Sequence, residues 1–286
     1  MSKFLYTVYL PGVDKHVHLT ELSFLEYKQL VKVITNDNND LIAAALNQII
    51  KDHCLEDVSS CTFLDKLLIL LTIRSVCISP VLEIVAKCPD TGSQYNCTTE
   101  ITDIKNIIES TKLMSYEKQY DAVTIKYTIP KTFFIPRGVE ALETVVHSAT
   151  INNTTTTEIE AIIDRLPANI LKDASEFITD TYDALTNCEL LKLISPFSPT
   201  STPIIITANV YNGAVLEFLK LCFKRDLMSL YELEFFFTRH LHLNLNDINT
   251  QTPAELSIYT GLFNEEQREI DKLNKKSTGI PLQPPV

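Results

Sequence analysis

The sequence predicts an α+β fold, with small antiparallel hairpins and helices in the N-terminal half and a mainly helical C-terminal half. In the first half, short β-prone runs flank turn sequences at residues 11–15 and 89–92. In the second half, apolar residues recur every three or four positions, which is the spacing of one helix face. The chain has 286 residues, 45% hydrophobic and 21% charged, and this composition is typical of a globular protein with a sizeable core.

The N-terminal half begins with a predicted hairpin and three helices. The strands of the hairpin are expected at residues 4–10 and 17–22, and the helices at 24–34, 40–53 and 63–76. Thr20 or Ser23 can cap the first helix, and Thr62 precedes the third. The third segment is apolar on nearly all sides, which predicts a buried helix.

A second hairpin is predicted around a Pro-Asp-Thr-Gly turn at residues 89–92. Its strands are residues 82–88 and 95–101, and a further strand is expected at 122–129. Three strands are the smallest sheet that is stable by itself, so these three are expected to share one sheet.

The domain organisation follows from a change of composition after residue 136. Residues 1–136 are predicted to form the α+β domain, and residues 158–276 a mainly helical domain. Between them, residues 137–157 contain an Asn-Asn-Thr-Thr-Thr-Thr tract that is expected to bury little and to act as a linker. Residues 277–286 form a predicted extended, Pro-rich tail.

The C-terminal domain is predicted to contain four helices and one short strand. The helices are expected at 158–165, 169–185, 213–240 and 253–275, and the strand at 204–208. Thr252, Pro253 and Glu255 make a helix start, and Leu256, Tyr259 and Leu262 are expected to point inward from the last helix.

The charge balance restricts the class of partner. Lys and Arg number 25 against 36 Asp and Glu, and the formal net charge of -11 predicts no binding to nucleic acid. No uninterrupted apolar run approaches about 18 residues, so no integral membrane insertion is expected. Seven scattered cysteines favour reduced thiols in a cytosolic compartment over a disulfide framework.

No motif for catalysis or cofactor binding is present, so the sequence predicts neither catalytic nor cofactor-binding residues. The six glycines are too far apart for a dinucleotide fingerprint or a phosphate loop, and the usual hydrolase and metalloprotease signatures are missing. The acidic residues after the Thr tract recur at helical spacing, which is typical of a solvated face.

Two sets of residues are weighed as metal ligands. Cys88 and Cys97 bracket the turn of the second hairpin and, if they face each other, would form a reduced zinc knuckle; small half-buried residues are the alternative. His16 and His18 would share one face of a strand, whereas His240 and a second histidine two residues later would diverge on a helix.

Surplus aromatic residues on the C-terminal helices predict a protein interface. Three consecutive phenylalanines at 235–237 cannot all face one core, so at least one must meet another element or another chain. The candidate contact residues are Leu230, Tyr231, Phe235, Phe236, Phe237 and Tyr259.

The order of several segments resembles a known protein family. These segments are FLYTVYLPG at 4–12, VHLTEL at 17–22, LEYKQL at 25–30, DKLLILLTIRSV at 65–76, LPANILK at 166–172, LYELEFFF at 230–237 and TPAELSIY at 252–259. Together they resemble the T4-type phage baseplate hub proteins over most of the chain. They are packing patterns rather than active-site motifs. The second hairpin departs from the family pattern, because it has single cysteines where a Cys-x-x-Cys ribbon is expected.

The resemblance implies a non-enzymatic component or assembly factor of the baseplate hub of a contractile-tailed phage. It implies other phage baseplate and tail proteins as partners, and a location in the host cytoplasm during assembly and then in the baseplate of the virion tail. The oligomeric state stays open.

Two alternatives come from other classes of protein. A degenerate zinc ribbon that assists a nucleic-acid enzyme would bind zinc through Cys88 and Cys97. An enzyme with an unrecognised site would show converging ionisable side chains in a concave pocket.

Overall fold

The N-terminal elements of the protein form as the sequence predicts. The computed structural model describes residues 5–121, 123–135, 144–151, 154–156, 168–198 and 202–277. Strands β1 (Tyr6–Leu10) and β2 (Lys15–Leu19) make the first hairpin, and α1 (Phe24–Thr35), α2 (Asn39–His53) and α3 (Phe63–Cys77) follow it. Ser23, rather than Thr20, caps α1, because its side chain accepts the backbone N–H of Glu26.

The second hairpin is confirmed, but the predicted three-stranded sheet is wrong. Among the described residues, strands β3 (Val81–Lys87) and β4 (Gln94–Glu100) pair only with each other. They lead into α4 (Ile101–Ser110), a helix that was not predicted although its buried residues Ile101, Ile104 and Ile108 recur at helical spacing. The next strand belongs to a separate antiparallel sheet. Its strands, in spatial order, are β5 (Tyr116–Tyr120), β6 (Val123–Tyr127), β7 (Val146–Ile151) and β8 (Thr154–Thr156).

Two of those strands lie inside the segment expected to be a linker. Val145, Val146 and Ala149 are buried, so the expectation that this segment buries little is wrong there. They pack with the sheet against helix α5 (Ala168–Asn187) in a small separate core. Alternating apolar and Thr or Ser residues suit a strand with one covered face. The remaining linker positions and the helix predicted at 158–165 lie outside the described residues.

The C-terminal part contains a break that the sequence did not predict. The antiparallel strands β9 (Glu189–Leu193) and β10 (Ile204–Thr207) precede α6 (Ala214–Phe223) and α7 (Leu227–His240). A single helix over 213–240 is therefore wrong, because Lys224 has extended backbone and Asp226 caps α7. Two more helices follow, α8 (Leu245–Thr250) and α9 (Pro253–Ser277), and the predicted tail beyond them lies outside the described residues.

The main core draws residues from both sides of the predicted linker. Helix α3 is buried on nearly all sides, and α1 packs against α2, α6, α7 and α8. Arg74 of α3 joins the two parts, since its Nε donates to the carbonyl oxygen of Cys222 in α6 at 2.7 Å. The division into domains at residues 136 and 158 stays a prediction, and the helices that carry the candidate contact residues rest on the N-terminal helices.

The buried carboxylate of Asp65 ties the first hairpin to α3. Its Oδ1 accepts the backbone N–H of Gly12 at 2.9 Å, and its Oδ2 accepts the backbone N–H and hydroxyl of Thr62 at 3.0 and 2.8 Å. Asp65→Ala leaves these donors without an acceptor. We expect it to lower the free energy of unfolding by about 2–3 kcal/mol, measured by urea denaturation.

Glu255 provides the matched control for Asp65. It accepts the N–H of Thr252 at the start of α9 in the same capping arrangement, but among the described residues it makes no hydrogen bond to the first hairpin. Glu255→Ala is expected to cost about 1 kcal/mol. If the two variants were equally stable, the bond from Gly12 to Asp65 would contribute nothing.

Glu26 makes the stability of the N-terminal helices depend on pH. Burial opposes its ionisation, but the close contact with His53, whose Nε2 lies 3.5 Å from Glu26 Oε1, and the hydrogen bonds from Ser23 outweigh that effect and lower the pKa of Glu26 from 4.5 to about 2. The stabilisation is therefore complete above pH 4.5 and is lost as the pH falls toward 2. Because 40% of the Glu26 side chain is exposed, we expect an advantage of only about 1 kcal/mol over Glu26→Gln. Urea denaturation at pH 5.5 and pH 3 measures it, and an advantage independent of pH would contradict the assignment.

Candidate protein interaction surface

Helix α7 buries two of the predicted contact residues. Leu230 and Phe237 are 1% and 0% exposed and belong to the main core. The chain itself covers both side chains, which leaves them no surface for a partner in this fold. Glu234 lies on the same buried side of the helix, where its carboxylate accepts a hydrogen bond from the buried Lys28 of α1.

An exposed side of α7, next to the buried one, presents an apolar ridge, which we define as Met228, Tyr231 and Phe235. These residues follow each other at intervals of three and four, so they line one side of the helix. They are 63%, 41% and 66% exposed. Tyr231 and Phe235 were predicted contact residues, whereas Met228 was not. The ring of Tyr231 also receives the ammonium group of Lys28 at 5.1 Å, which holds the ridge against α1.

Phe236, another predicted contact residue, joins α7 to α9. Its ring meets that of Phe263 edge-on at 5.0 Å between centroids, and it also lies 5.3 Å from the ring of His240. Phe236 therefore fixes the position of α9 rather than presenting a free surface.

Helix α9 exposes most of its apolar residues. Leu256 is buried, but Tyr259 and Leu262 are 45% and 58% exposed, so the expectation that they point inward is wrong. Ile270 and Leu273 are 41% and 65% exposed, and every residue from 264 to 273 is exposed. At 3.6 residues per turn, Tyr259, Leu262, Ile270 and Leu273 fall within one side of the helix. We call these four residues the α9 stripe.

The spacing of apolar residues in the sequence indicates this stripe. Apolar residues at 259, 262, 270 and 273 are separated by three, eight and three positions, with Glu266 between them. The spacing identifies an amphipathic helix. It does not say whether the apolar side is covered by the same chain or left for another one.

The second hairpin does not bring Cys88 and Cys97 together. In the strand register Cys97 lies opposite Ile84, while the N–H of Cys88 bonds to Ser93. The two cysteines share one face of the hairpin but are offset by four residues, roughly 13 Å along the strand. Hydrogen bonds from the hydroxyls of Ser195 and Thr91 lower the pKa of Cys88 to about 7.

The histidines considered as ligands have other contacts. His18 Nδ1 lies 2.6 Å from Glu56 Oε1, and the ring of His16 contacts that of Tyr9. Within the ranges that the structure describes, no group of three or more His, Cys, Asp and Glu side chains is arranged to hold a metal ion. Among those same residues, no helix is both long and apolar enough to cross a membrane.

Comparison with known proteins relates the N-terminal two thirds of the chain to a phage family. The family model described as T4 bacteriophage base plate protein matches residues 1–190 of the 286. The match runs from the first hairpin through α5 into β9, and the helices that carry the ridge and the α9 stripe come after it. No curated protein and no solved structure matches the chain.

Proposed function

The chain belongs to the T4 bacteriophage base plate protein family, and we propose that it is a baseplate hub component or a factor that assembles the hub. Membership gives it a structural role associated with the phage baseplate. The proposal adds that it acts through contacts with other baseplate and tail proteins, without catalysis and without a cofactor. It would act in the host cytoplasm during assembly of a contractile tail.

The exposed apolar side of α9 is the observation that supports this proposal. Leu262 and Leu273 are more than half exposed on a helix of 25 residues. A row of large apolar side chains exposed along one helix marks a site for another protein more often than a solvated surface. The ridge on α7 adds Met228 and Phe235, so two neighbouring helices present apolar surface.

The geometry suits the docking of α9 against an apolar groove. An amphipathic helix binds such a groove through residues spaced by three, four and seven positions. Burial of a leucine side chain contributes about 1.5–3 kcal/mol, so the α9 stripe supplies enough apolar surface for specific binding. The core beneath α7 stays intact in such a complex, because Leu230 and Phe237 are already covered.

Co-expression with other tail proteins tests the proposal. The expected result is a stable complex in size-exclusion chromatography between this chain and at least one baseplate or tail protein encoded by the same phage. A chain that elutes alone after co-expression with each of them would contradict the proposed function. Mass spectrometry of purified virions then separates the two roles, since a hub component stays in the particle and an assembly factor leaves it.

A further inference from the structure

A cleft lies between β4 and β9, and none of its lining residues belongs to the ridge or the α9 stripe. Its volume is about 470 Å³, within the roughly 300–1,000 Å³ of ordinary binding clefts. Cys97, Thr98 and Thr99 of β4 form one wall, and residues 189–194 form the other. Helix α4 contributes Ile104 and Ile107, so an apolar helix side lies between the two strands that form the walls.

Each of these strands has one paired edge. Among the described residues, β4 pairs only with β3 and β9 only with β10. An unpaired strand edge offers a row of N–H and C=O groups that can pair with another extended chain. Strand β4 contains neither Lys nor Pro, the residues that commonly block such pairing.

The pairing of the hairpin shows which main-chain groups of β4 are free. The N–H of Cys88 donates to Ser93 at one end, and the N–H of Ile101 donates to Pro80 at the other. Bonded and non-bonded pairs alternate along an antiparallel ladder. Cys97 and Thr99 therefore bond to β3, while the N–H and C=O of Thr98 between them point away from it. Thr98 is exposed and lines the cleft.

We propose that this cleft binds an extended segment of another baseplate protein, which pairs with the free edge of β4 as an added strand. The class of partner rests on the proposed function, whereas the mode of binding rests on the edge itself. Ile107, which is only partly buried, would receive an apolar side chain from one face of the segment, since successive side chains of a strand point to opposite faces. Recognition is thus mainly by hydrogen bonds, in contrast to the apolar docking of α9.

Thr98→Pro tests the proposal because it removes the outward N–H without touching the bonds between β3 and β4. Proline is tolerated in a strand where the N–H faces away from the ladder. Thr98→Val is the matched control, since it keeps the N–H and the branched shape. With the tail protein that co-purifies with this chain as the probe, Thr98→Pro is expected to weaken binding at least tenfold, and Thr98→Val less than twofold.

Hydrogen exchange on the wild-type complex provides a second readout that does not depend on the folding of a variant. The amides of Asn96 and Thr98 are expected to exchange more slowly in the complex than in the free chain. Equal binding by Thr98→Pro, or unchanged exchange at both amides, would overturn the strand-addition proposal while the proposed function stands. If the wild-type chain forms no complex at all, the proposed function fails and this inference fails with it.

Discussion

Replacing Glu234 with leucine is expected to lower the free energy of unfolding by about 3–5 kcal/mol, because Lys28 is then left buried without a counter-ion. The side chains of Lys28 and Glu234 are 9% and 11% exposed and bond directly to each other between α1 and α7. Breaking such a pair costs more than the pair itself contributes, since an isolated charge remains in the interior. Urea denaturation of the wild type and the variant measures the loss.

The double variant Lys28→Met with Glu234→Leu separates this effect from a simple loss of packing. Two apolar side chains of similar volume remove both charges, and such replacements of buried pairs are often neutral. We expect the double variant to be more stable than Glu234→Leu alone. If the single costs simply added, the two side chains would not be energetically coupled.

The second prediction concerns the α9 stripe. Leu262→Glu combined with Leu273→Glu is expected to weaken the complex with the co-purifying tail protein at least 100-fold. Two buried leucines contribute about 3–6 kcal/mol, and a factor of 100 corresponds to about 2.7 kcal/mol. Titration calorimetry measures the dissociation constant. The stability of the free chain should change by less than about 0.5 kcal/mol, because both side chains are exposed.

Asn264→Glu combined with Gln267→Glu is the control for the stripe. Both residues are exposed, lie on other sides of α9, and receive the same two added charges. We expect this variant to bind within about threefold of the wild type. A similar loss of binding in both double variants would mean that net charge, rather than the apolar stripe, determines the affinity.

Elements with strong local signals could be predicted from the sequence. The first hairpin contains a Pro-Gly turn between alternating strands, and α1 and α3 begin at Ser23 and Thr62 with capping partners three residues later. These signals depend on neighbouring residues alone. The second hairpin and the start of α9 at Thr252 were predictable for the same reason.

Elements that depend on distant contacts could not be predicted in this way. The break between α6 and α7 contains neither Gly nor Pro, and apolar residues continue at helical spacing across it. Its cause is the cap at Asp226 and the packing of the two helices in one core. The strands β7 and β8 lie in the segment that contains the Thr-rich tract, and the buried residues of β7 are covered by α5, which comes later in the chain.

The candidate surface, too, could be predicted only in part from the sequence. Periodicity identified α7 and α9 as amphipathic, but only the folded chain shows that Leu230 and Phe237 are covered while Phe235, Leu262 and Leu273 are not. Likewise, the turn sequence identified the second hairpin, but the strand register decides that Cys88 and Cys97 lie apart.

Hydroxyl-radical footprinting of the complex with the co-purifying tail protein tests most directly whether α9 is a docking surface. Leu262 and Leu273 are expected to be oxidised several-fold more slowly in the complex than in the free chain, while the buried Leu230 stays protected in both. Equal oxidation of Leu262 and Leu273 in the two states would show that the partner binds elsewhere, and would contradict the role proposed for α9.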